Sequence, residues 1–432
     1  MLSSRSLRLP LSVILFCLYL VLPATSGLLA ASSDEMFIGS ITITGNTRTD
    51  GVVIRRELGL TEGDPFHPED LDVIWDRLED SGYFAFVEMD YDEDEDGRVD
   101  LFIELEEDQT SRFSPLLTYS RRHKYLLGAM VTESNLRGKG EKLDVAAAWF
   151  TIQQYQLGWR KPWLFNRRQL SCGLATGWKR APFVYRPYNY IEWDINGWTR
   201  WNPVRDLYLE GTVAYGEFKR VRTSVPLTGF GTGGTVTGGA LSDGDVHQRL
   251  TFTAELGWDS RNIPYYPERG GFHHLRWRRC TGNGFDSFTE WSLDLRQFVP
   301  MTWGHILALR AYGRQVDRPV PLEDRLYWGG PESIRGYPYA IHEGDEGYLL
   351  SAEYRWPLFL MPISASGQVV GFGLHFFCDA GDSWLDGEES TQRLLSWGGG
   401  VHLNIATLQL RFEIASTEDG DTVFQFEDTF NF

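Results

Sequence analysis

From Ser111 to Phe432 the chain repeats one pattern, a run of alternating apolar and polar positions followed by a cluster of Gly, Pro, Asn or Asp. In "RLTFTAELGWDS", Leu250, Phe252, Ala254, Leu256 and Trp258 fall on one side, and Thr251, Thr253, Glu255, Gly257 and Asp259 on the other. About 16 such runs occupy about 320 residues, roughly 20 residues for each strand with its turn, the size expected of a mid-sized membrane barrel. Alternation alone suits a soluble sandwich equally well. The polar side separates the two, because repeated Glu, Asp and Arg in mid-strand suit a wet lumen while the opposite face meets lipid. The pattern therefore predicts a mostly β protein built on a transmembrane antiparallel β-barrel of about 16 strands. Compact links at "NLRGKG", "NPVRD" and "NIATL" alternate with long Gly-rich insertions near 218–246 and 316–345, which predicts short turns on one rim and long loops on the other. An even strand count leaves both barrel ends on the short-turn rim.

Before the barrel, residues 36–108 follow a different pattern. "FIGSITITGN" alternates as a strand, "DGVVIRREL" has helical spacing through Val53, Ile54 and Leu58, and Asp50 or Thr49 is placed to cap it. Pro68 opens a second helix with Leu71, Ile74, Trp75 and Leu78 on one face, Gly82 ends it, and the strands "FAFVEMDY" and "RVDLFIELEE" follow. The predicted order is β-α-α-β-β, one small α+β domain. Residues 1–31 read as an export signal, with Arg5 and Arg8 before an apolar stretch from Leu11 to Leu22 that is too short to span a bilayer. The expected organisation is 1–31 signal peptide, 36–108 small domain, 111–432 barrel.

Charge narrows the partners. The net charge is −18, with 24 acids against 5 bases between Asp34 and Asp108, so no basic face is offered to nucleic acid. In "DEDEDGRVD", Asp92, Asp94, Asp96, Gly97 and Asp100 match the start of a calcium loop, but its last ligand position holds Ile103, and a solvated hairpin turn is the simpler reading. Cys172, Cys280 and Cys378 are widely spaced and odd in number, which points to buried free thiols. "GDSW" at Gly381–Trp384 lacks a nucleophile elbow, His273 and His274 alternate across a strand, and His342 and His375 read as lumen or loop residues. No catalytic residue, metal site or cofactor is expected. Trp149, Phe150, Trp159, Trp163, Trp178, Trp193, Trp198 and Trp201 lie near strand ends, where interfacial girdles belong.

Four stretches now carry a resemblance: "ESNLRGKGEKL" (Glu133 to Leu143), "DSRNIPYYPERGG" (Asp259 to Gly271), "YWGGPESIRGY" (Tyr327 to Tyr337) and "FFCDAGDSW" (Phe376 to Trp384). In that order and spacing the chain resembles the BamA and TamA superfamily of outer-membrane assembly and translocation proteins, with a bacterial surface antigen barrel behind one POTRA-like domain. Several POTRA domains precede the barrel in the main assembly factors; here the pattern predicts one. The resemblance implies a bacterial outer-membrane location, with the POTRA-like domain in the periplasm.

It also implies that Arg335, Gly336 and Tyr337 sit on a lid loop folded into the lumen, where the arginine meets acids on the inner wall. Strand parity independently turns Glu353 and Asp379 inward, and a planar guanidinium suits two carboxylates better than lysine would. The family's seam between first and last strands would join Ser111–Arg121, where Pro115 removes a backbone donor, to Asp421–Phe432, where Phe424, Phe426, Phe430 and Phe432 share a face. The implied function is insertion or translocation of other polypeptides, with outer-membrane lipid and unfolded or exported client chains as partners and periplasmic accessory proteins as further candidates. A porin-like structural barrel is the alternative, and an outer-membrane phospholipase a more distant one.

Overall fold

The computed structural model describes residues 36–120, 124–150, 152–183, 188–222, 246–362, 369–388, 393–406 and 408–427. Residues 1–31, read as a signal, lie outside the described residues, as do Phe430 and Phe432.

The front domain comprises β1 (Met36–Thr44), α1 (Gly51–Leu58), β2 (Pro65–Phe66), α2 (Asp70–Asp80), β3 (Phe84–Glu93) and β4 (Arg98–Glu107). Its sheet has the order β2-β1-β4-β3, with β1 and β4 parallel at the centre. Asp50 caps α1 by accepting the Val52 N–H at 3.0 Å, and Gly59 closes it at φ 70°. Two features depart from the sequence pattern. The two-residue β2, whose Phe66 is fully buried beside β1, is too short to leave any alternation to read. Trp75 does not share the buried face of Ile74 and Leu78: it is 41% exposed, and its indole N–H reaches across to Val87 O at 3.2 Å. The acidic turn between β3 and β4 is a hairpin tip in which Asp94 Oδ1 accepts the backbone N–H of Asp96 and Arg98, both at 2.9 Å, with Gly97 at φ 75°.

Glu107, at the end of β4, accepts hydrogen bonds from Thr47 Oγ1 (2.7 Å) and from the backbone N–H of Arg48 (2.9 Å) and Thr49 (2.6 Å). Burial would raise its pKa, but the bonds from Thr47, Thr49 and Arg48 outweigh it and hold the carboxyl down at about 2. A depressed carboxyl binds protons less readily folded than unfolded. Its stabilisation is therefore fully present above the ordinary glutamate pKa of about 4.3 and is lost as pH falls toward 2. Glu107→Gln should remove that part of the acid dependence. Thermal unfolding of the domain in the detergent-solubilised chain, compared at pH 7 and pH 3, should differ less in the variant than in the wild type.

The barrel is one antiparallel sheet. Its first eight strands are β5 (Ser111–Ser120), β6 (Lys124–Leu136), β7 (Glu141–Phe150), β8 (Gln153–Lys161), β9 (Leu170–Phe183), β10 (Tyr188–Val204), β11 (Leu207–Arg222) and β12 (Val246–Asp259). After β13 (Gly270–Asn283), β14 (Phe288–Pro300) and β15 (Ile306–Val316), a small hairpin of β16 (Leu326–Trp328) and β17 (His342–Gly344) interrupts the sequence. The sheet resumes with β18 (Glu346–Pro362), β19 (Val369–Trp384), β20 (Leu394–Ala406), β21 (Leu408–Thr417) and β22 (Thr422–Glu427), giving sixteen strands paired in chain order from β5 to β22. On β19, Phe372 and Phe376 are 49% and 55% exposed while His375, Phe377 and Asp379 are buried, so the apolar side faces outward and the charged side inward. In water such an apolar girth would be an aggregation surface; in a bilayer it is the required outer face. Among the described residues no helix is long and apolar enough to cross a membrane.

The front domain docks on two short turns of the barrel. Asp50 N–H donates to Gly138 O (2.9 Å), Asn135 Nδ2 donates to Thr49 Oγ1 (2.9 Å), and Trp163 Nε1 donates to Glu57 Oε1 (2.9 Å). Gly138 stands at φ 71°, and a Cβ there would lie 2.0 Å from Arg48 O. Trp163 is thus a docking residue, with Arg56 and Arg168 over its ring, and not a girdle anchor. Trp198 shares the lumen side of β10 with Arg200, under the guanidinium of Arg160. Proximity to a strand end did not reveal which face or turn these rings occupy.

Candidate functional site at the loop clasp and the seam

The connection from β15 to β18 folds into the lumen. Gly329 and Gly330, at φ 107° and 92°, turn the chain back on itself, and Gly330 N–H bonds Tyr337 O at 3.0 Å. Ile334 and Arg335 are fully buried within that turn. Tyr337 packs with Trp328 and Leu349, its hydroxyl donating to Leu395 O at 3.1 Å.

Arg335 uses its whole guanidinium. Nε and Nη2 fork onto the two oxygens of Asp379 at 2.7 and 2.8 Å; Nη1 reaches Glu353 Oε2 at 2.7 Å and Glu413 Oε1 at 3.3 Å; Nη2 also meets Ser351 Oγ at 3.3 Å. Its plane lies over Phe377, 3.5 Å from the ring centroid, and its backbone N–H adds a bond to Asp379 at 3.2 Å. The inner wall contributes Arg355 beside Glu353 and Arg411 beside both Glu353 and Glu413, so three guanidiniums face three carboxylates. Asp379 and Glu353, turned inward by parity, are both brought to Arg335. Glu413, Arg411, Ser351 and Phe377 were missed, although their inward parity on β21, β18 and β19 was readable. Gly336 stands at φ 89°, and a Cβ would come 3.1 Å from Ala415 Cβ.

The clasp touches the end of the sheet. Gly336 N–H donates to Gln425 Oε1 at 3.3 Å, and Gln425 Nε2 donates to Glu413 Oε2 at 2.6 Å, so the loop triplet is bonded to β22. β22 pairs on one side with β21 and on the other approaches β5, with Cα atoms within 8 Å; among the described residues no ladder joins those two strands. Pro115 lies opposite Ala129 of β6, and Phe424 points outward, 58% exposed, with the ring of Phe426 tilted against that of Phe412 at a centroid distance of 4.8 Å.

A second contact of opposite polarity, also missed, fixes the start of the loop. Asp324 takes Arg249 Nη1 and Arg278 Nη1 on its two oxygens, both at 2.8 Å, while Arg314 Nη1 bonds its carbonyl at 2.6 Å. Glu323 meets Arg220 at 3.3 Å and pairs with His247. The acidic pair in "PLEDRLYW" was the available signal.

Other chemistry is weak here. Glu353, His375 and Glu413 place ligand atoms within 4.8 Å of one another, a spacing a cation could bridge, but guanidiniums already occupy both carboxylates. His342 bonds Asp382 at 3.1 Å and not the buried Ser383 hydroxyl, so among the described residues His342 does not activate Ser383 as a nucleophile.

A sixteen-stranded barrel with an apolar outer face, a loop clasped inside its lumen and a small α+β domain on its short-turn rim defines an outer-membrane β-barrel with a periplasmic domain. The chain belongs to the Omp85 superfamily: the Omp85 superfamily domain matches residues 135–432, and the surface antigen variable number repeat, or POTRA domain, matches residues 36–108. Members of this family are assembly or transport factors and not enzymes. The chain is 30% identical over 192 residues to the sorting and assembly machinery component 50 homolog of Xenopus tropicalis, covering 38% of this chain and 41% of that protein. It is 24% identical over 444 residues to the outer membrane protein assembly factor BamA of Neisseria meningitidis, covering 86% and 49%. The crystal structure of BamA from Haemophilus ducreyi lacking POTRA domains 1–3 superposes with a TM-score of 0.70 at 15% identity, over 90% of this chain and 84% of that one. The chain thus spans less than half the length of the curated relatives it matches.

Proposed function

We propose that this protein inserts or translocates other polypeptides at the bacterial outer membrane, through a seam between β5 and β22 whose opening is restrained by the lumen loop. The observation that carries the reading is the pair of sheet ends lying side by side with no ladder between them among the described residues, one of them bonded through Gln425 to the Arg335 turn. Backbone groups left unpaired in hydrocarbon cost several kcal/mol each, so an opened edge would take up an incoming client strand as its partner. Arg335, Gly336 and Tyr337 act as the latch, Glu353 and Asp379 as its wall partners, and Pro115 keeps one seam strand a donor short. The POTRA domain presents the client, with its strongly acidic surface favouring basic segments. Bilayer lipid and periplasmic accessory proteins complete the expected set of partners. A loop clasped to the inner wall of the lumen argues against the porin-like alternative.

Proteoliposomes holding the full chain should speed the insertion of a urea-unfolded outer-membrane barrel severalfold over empty vesicles, read as a band whose mobility changes on heating. Equal rates with a correctly folded chain would sink the proposal. Gln425→Leu should uncouple loop from seam: with one hydrogen bond to a charged partner lost, amide exchange in 422–427 should quicken about tenfold while β18 and β19 stay protected.

A further inference from the structure

Behind the clasp lies a row of buried side-chain contacts. His375 Nε2 is 2.8 Å from Glu413 Oε1, His375 Nδ1 is 3.2 Å from His402 Nδ1, and His402 Nε2 is 3.1 Å from Tyr266 Oη. All four side chains are buried. Glu413, paired with Arg411 and Arg335, is a carboxylate and accepts, so His375 carries its proton on Nε2 and a lone pair on Nδ1. His402 must then donate from Nδ1, which leaves Nε2 to accept the Tyr266 hydroxyl. Each ring has one permitted tautomer, and the hydrogen bonds run in one direction from Tyr266 to Glu413. Tyr266 belongs to the "DSRNIPYYPERGG" turn between β12 and β13, packed against Phe298, Ile306 and Val369, so the row joins a short-turn element to the loop clasp.

We propose that Tyr266, His402 and His375 are positioning residues that hold Glu413 for Arg335, and that a further proton entering the row loosens the loop. The inference rests on the latch reading of Arg335. The groups facing the two imidazoles are Glu353 and Arg355 from β18, Asp379 from β19, Arg411 and Glu413 from β21, Arg335 from the loop and Tyr266 from the turn. With neutral imidazoles the three guanidiniums and three carboxylates balance. One added proton reverses the bond at the Tyr266 end of the row: His402 donates from both nitrogens, the Tyr266 O–H loses its acceptor, and the cluster gains an uncompensated charge next to Arg355 and Arg411. Charged His375 also competes for Glu413 Oε1, the oxygen that Arg335 shares. Two added protons set N–H against N–H across the 3.2 Å contact. The native row is thus built for neutral histidines, and the seated loop loses stability as pH falls through the range where imidazole takes a proton.

The full chain in vesicles, treated with proteinase K between pH 8 and pH 5, tests this. Loop cleavage is normalised at each pH to the Arg335→Ala protein, and folding is checked by heat-modifiable mobility. In the wild type the normalised rate should rise about tenfold toward pH 5, as expected for losing one charge-assisted hydrogen bond. The double variant His375→Gln with His402→Gln, whose amides can bond the same neighbours but take up no proton, should stay closed and flat with pH. Tyr266→Phe, which removes the hydroxyl that a protonated His402 would strand, should raise cleavage at pH 8 and flatten the rise toward pH 5, whereas a purely structural role would raise cleavage equally at every pH. A flat wild type, or a step retained in the double variant, overturns the proposal and leaves the latch standing. Arg335→Ala as resistant as wild type overturns the latch itself.

Discussion

Replacing Arg335 with alanine should release the lumen loop while leaving the barrel intact. The guanidinium is fully buried and bonded to Asp379, Glu353 and Glu413, so its loss strands Asp379 without a cationic partner among the described residues and leaves the loop held to this wall cluster by the 335 backbone N–H on Asp379 and the Gly336–Gln425 bond. Breaking a buried ion pair by deleting one partner costs about 3–5 kcal/mol, at least a hundredfold in the seated population. The sixteen-strand ladder does not pass through Arg335, so mobility should still change on heating. Conductance in planar bilayers and protease cleavage near 335 should both rise. Arg335→Lys should fall between the two, because a single ammonium keeps the charge but cannot fork onto Asp379 while reaching Glu353. Conductance and cleavage unchanged in Arg335→Ala would remove the latch from the account.

Most of the barrel was legible because the lipid-facing and lumen-facing solvents impose opposite demands on alternate residues, and that period of two survives in sequence. It gave strand number, outer face and the inward turn of Glu353 and Asp379. What escaped has a common physical cause. Glu413 reaches Arg335 and Gln425 reaches Gly336 across sequence separations of 78 and 89 residues, and alternation fixes the side of a strand but not its height in the barrel. Trp163 failed differently: the same aromatic residue serves a lipid interface or a domain contact, and only the position of Glu57 decides. Likewise β2 carries two residues, too few for any period, and Trp75 lies at the margin of a helical face where spacing cannot separate burial from exposure.

The loop is held with reversed polarity at its two ends, which makes a second large effect separable from the first. At the Arg335 end the loop supplies the cation and the wall the acids; at the Asp324 end the loop supplies the acid and the wall Arg249 and Arg278. Asp324→Ala should cost less than Arg335→Ala, because Arg278 keeps Glu290 at 2.6 Å and Arg249 keeps Glu192 at 3.8 Å, leaving no cation wholly unmatched. A release of about 2–3 kcal/mol is expected, at the low end of breaking a buried pair. Mapped proteinase K cleavage should then be regional: near 318–326 in Asp324→Ala, near 331–340 in Arg335→Ala, and across the whole connection in the double variant. The two ends share no direct partner, so their energies should add within about 0.5 kcal/mol. Exchange in β22 supplies the discriminating measurement: it should quicken with Arg335→Ala, whose turn holds Gln425, and stay near wild type with Asp324→Ala. Equal acceleration by both would mean that the loop moves as one rigid body, and that the bond to Gln425 does not by itself couple latch to seam.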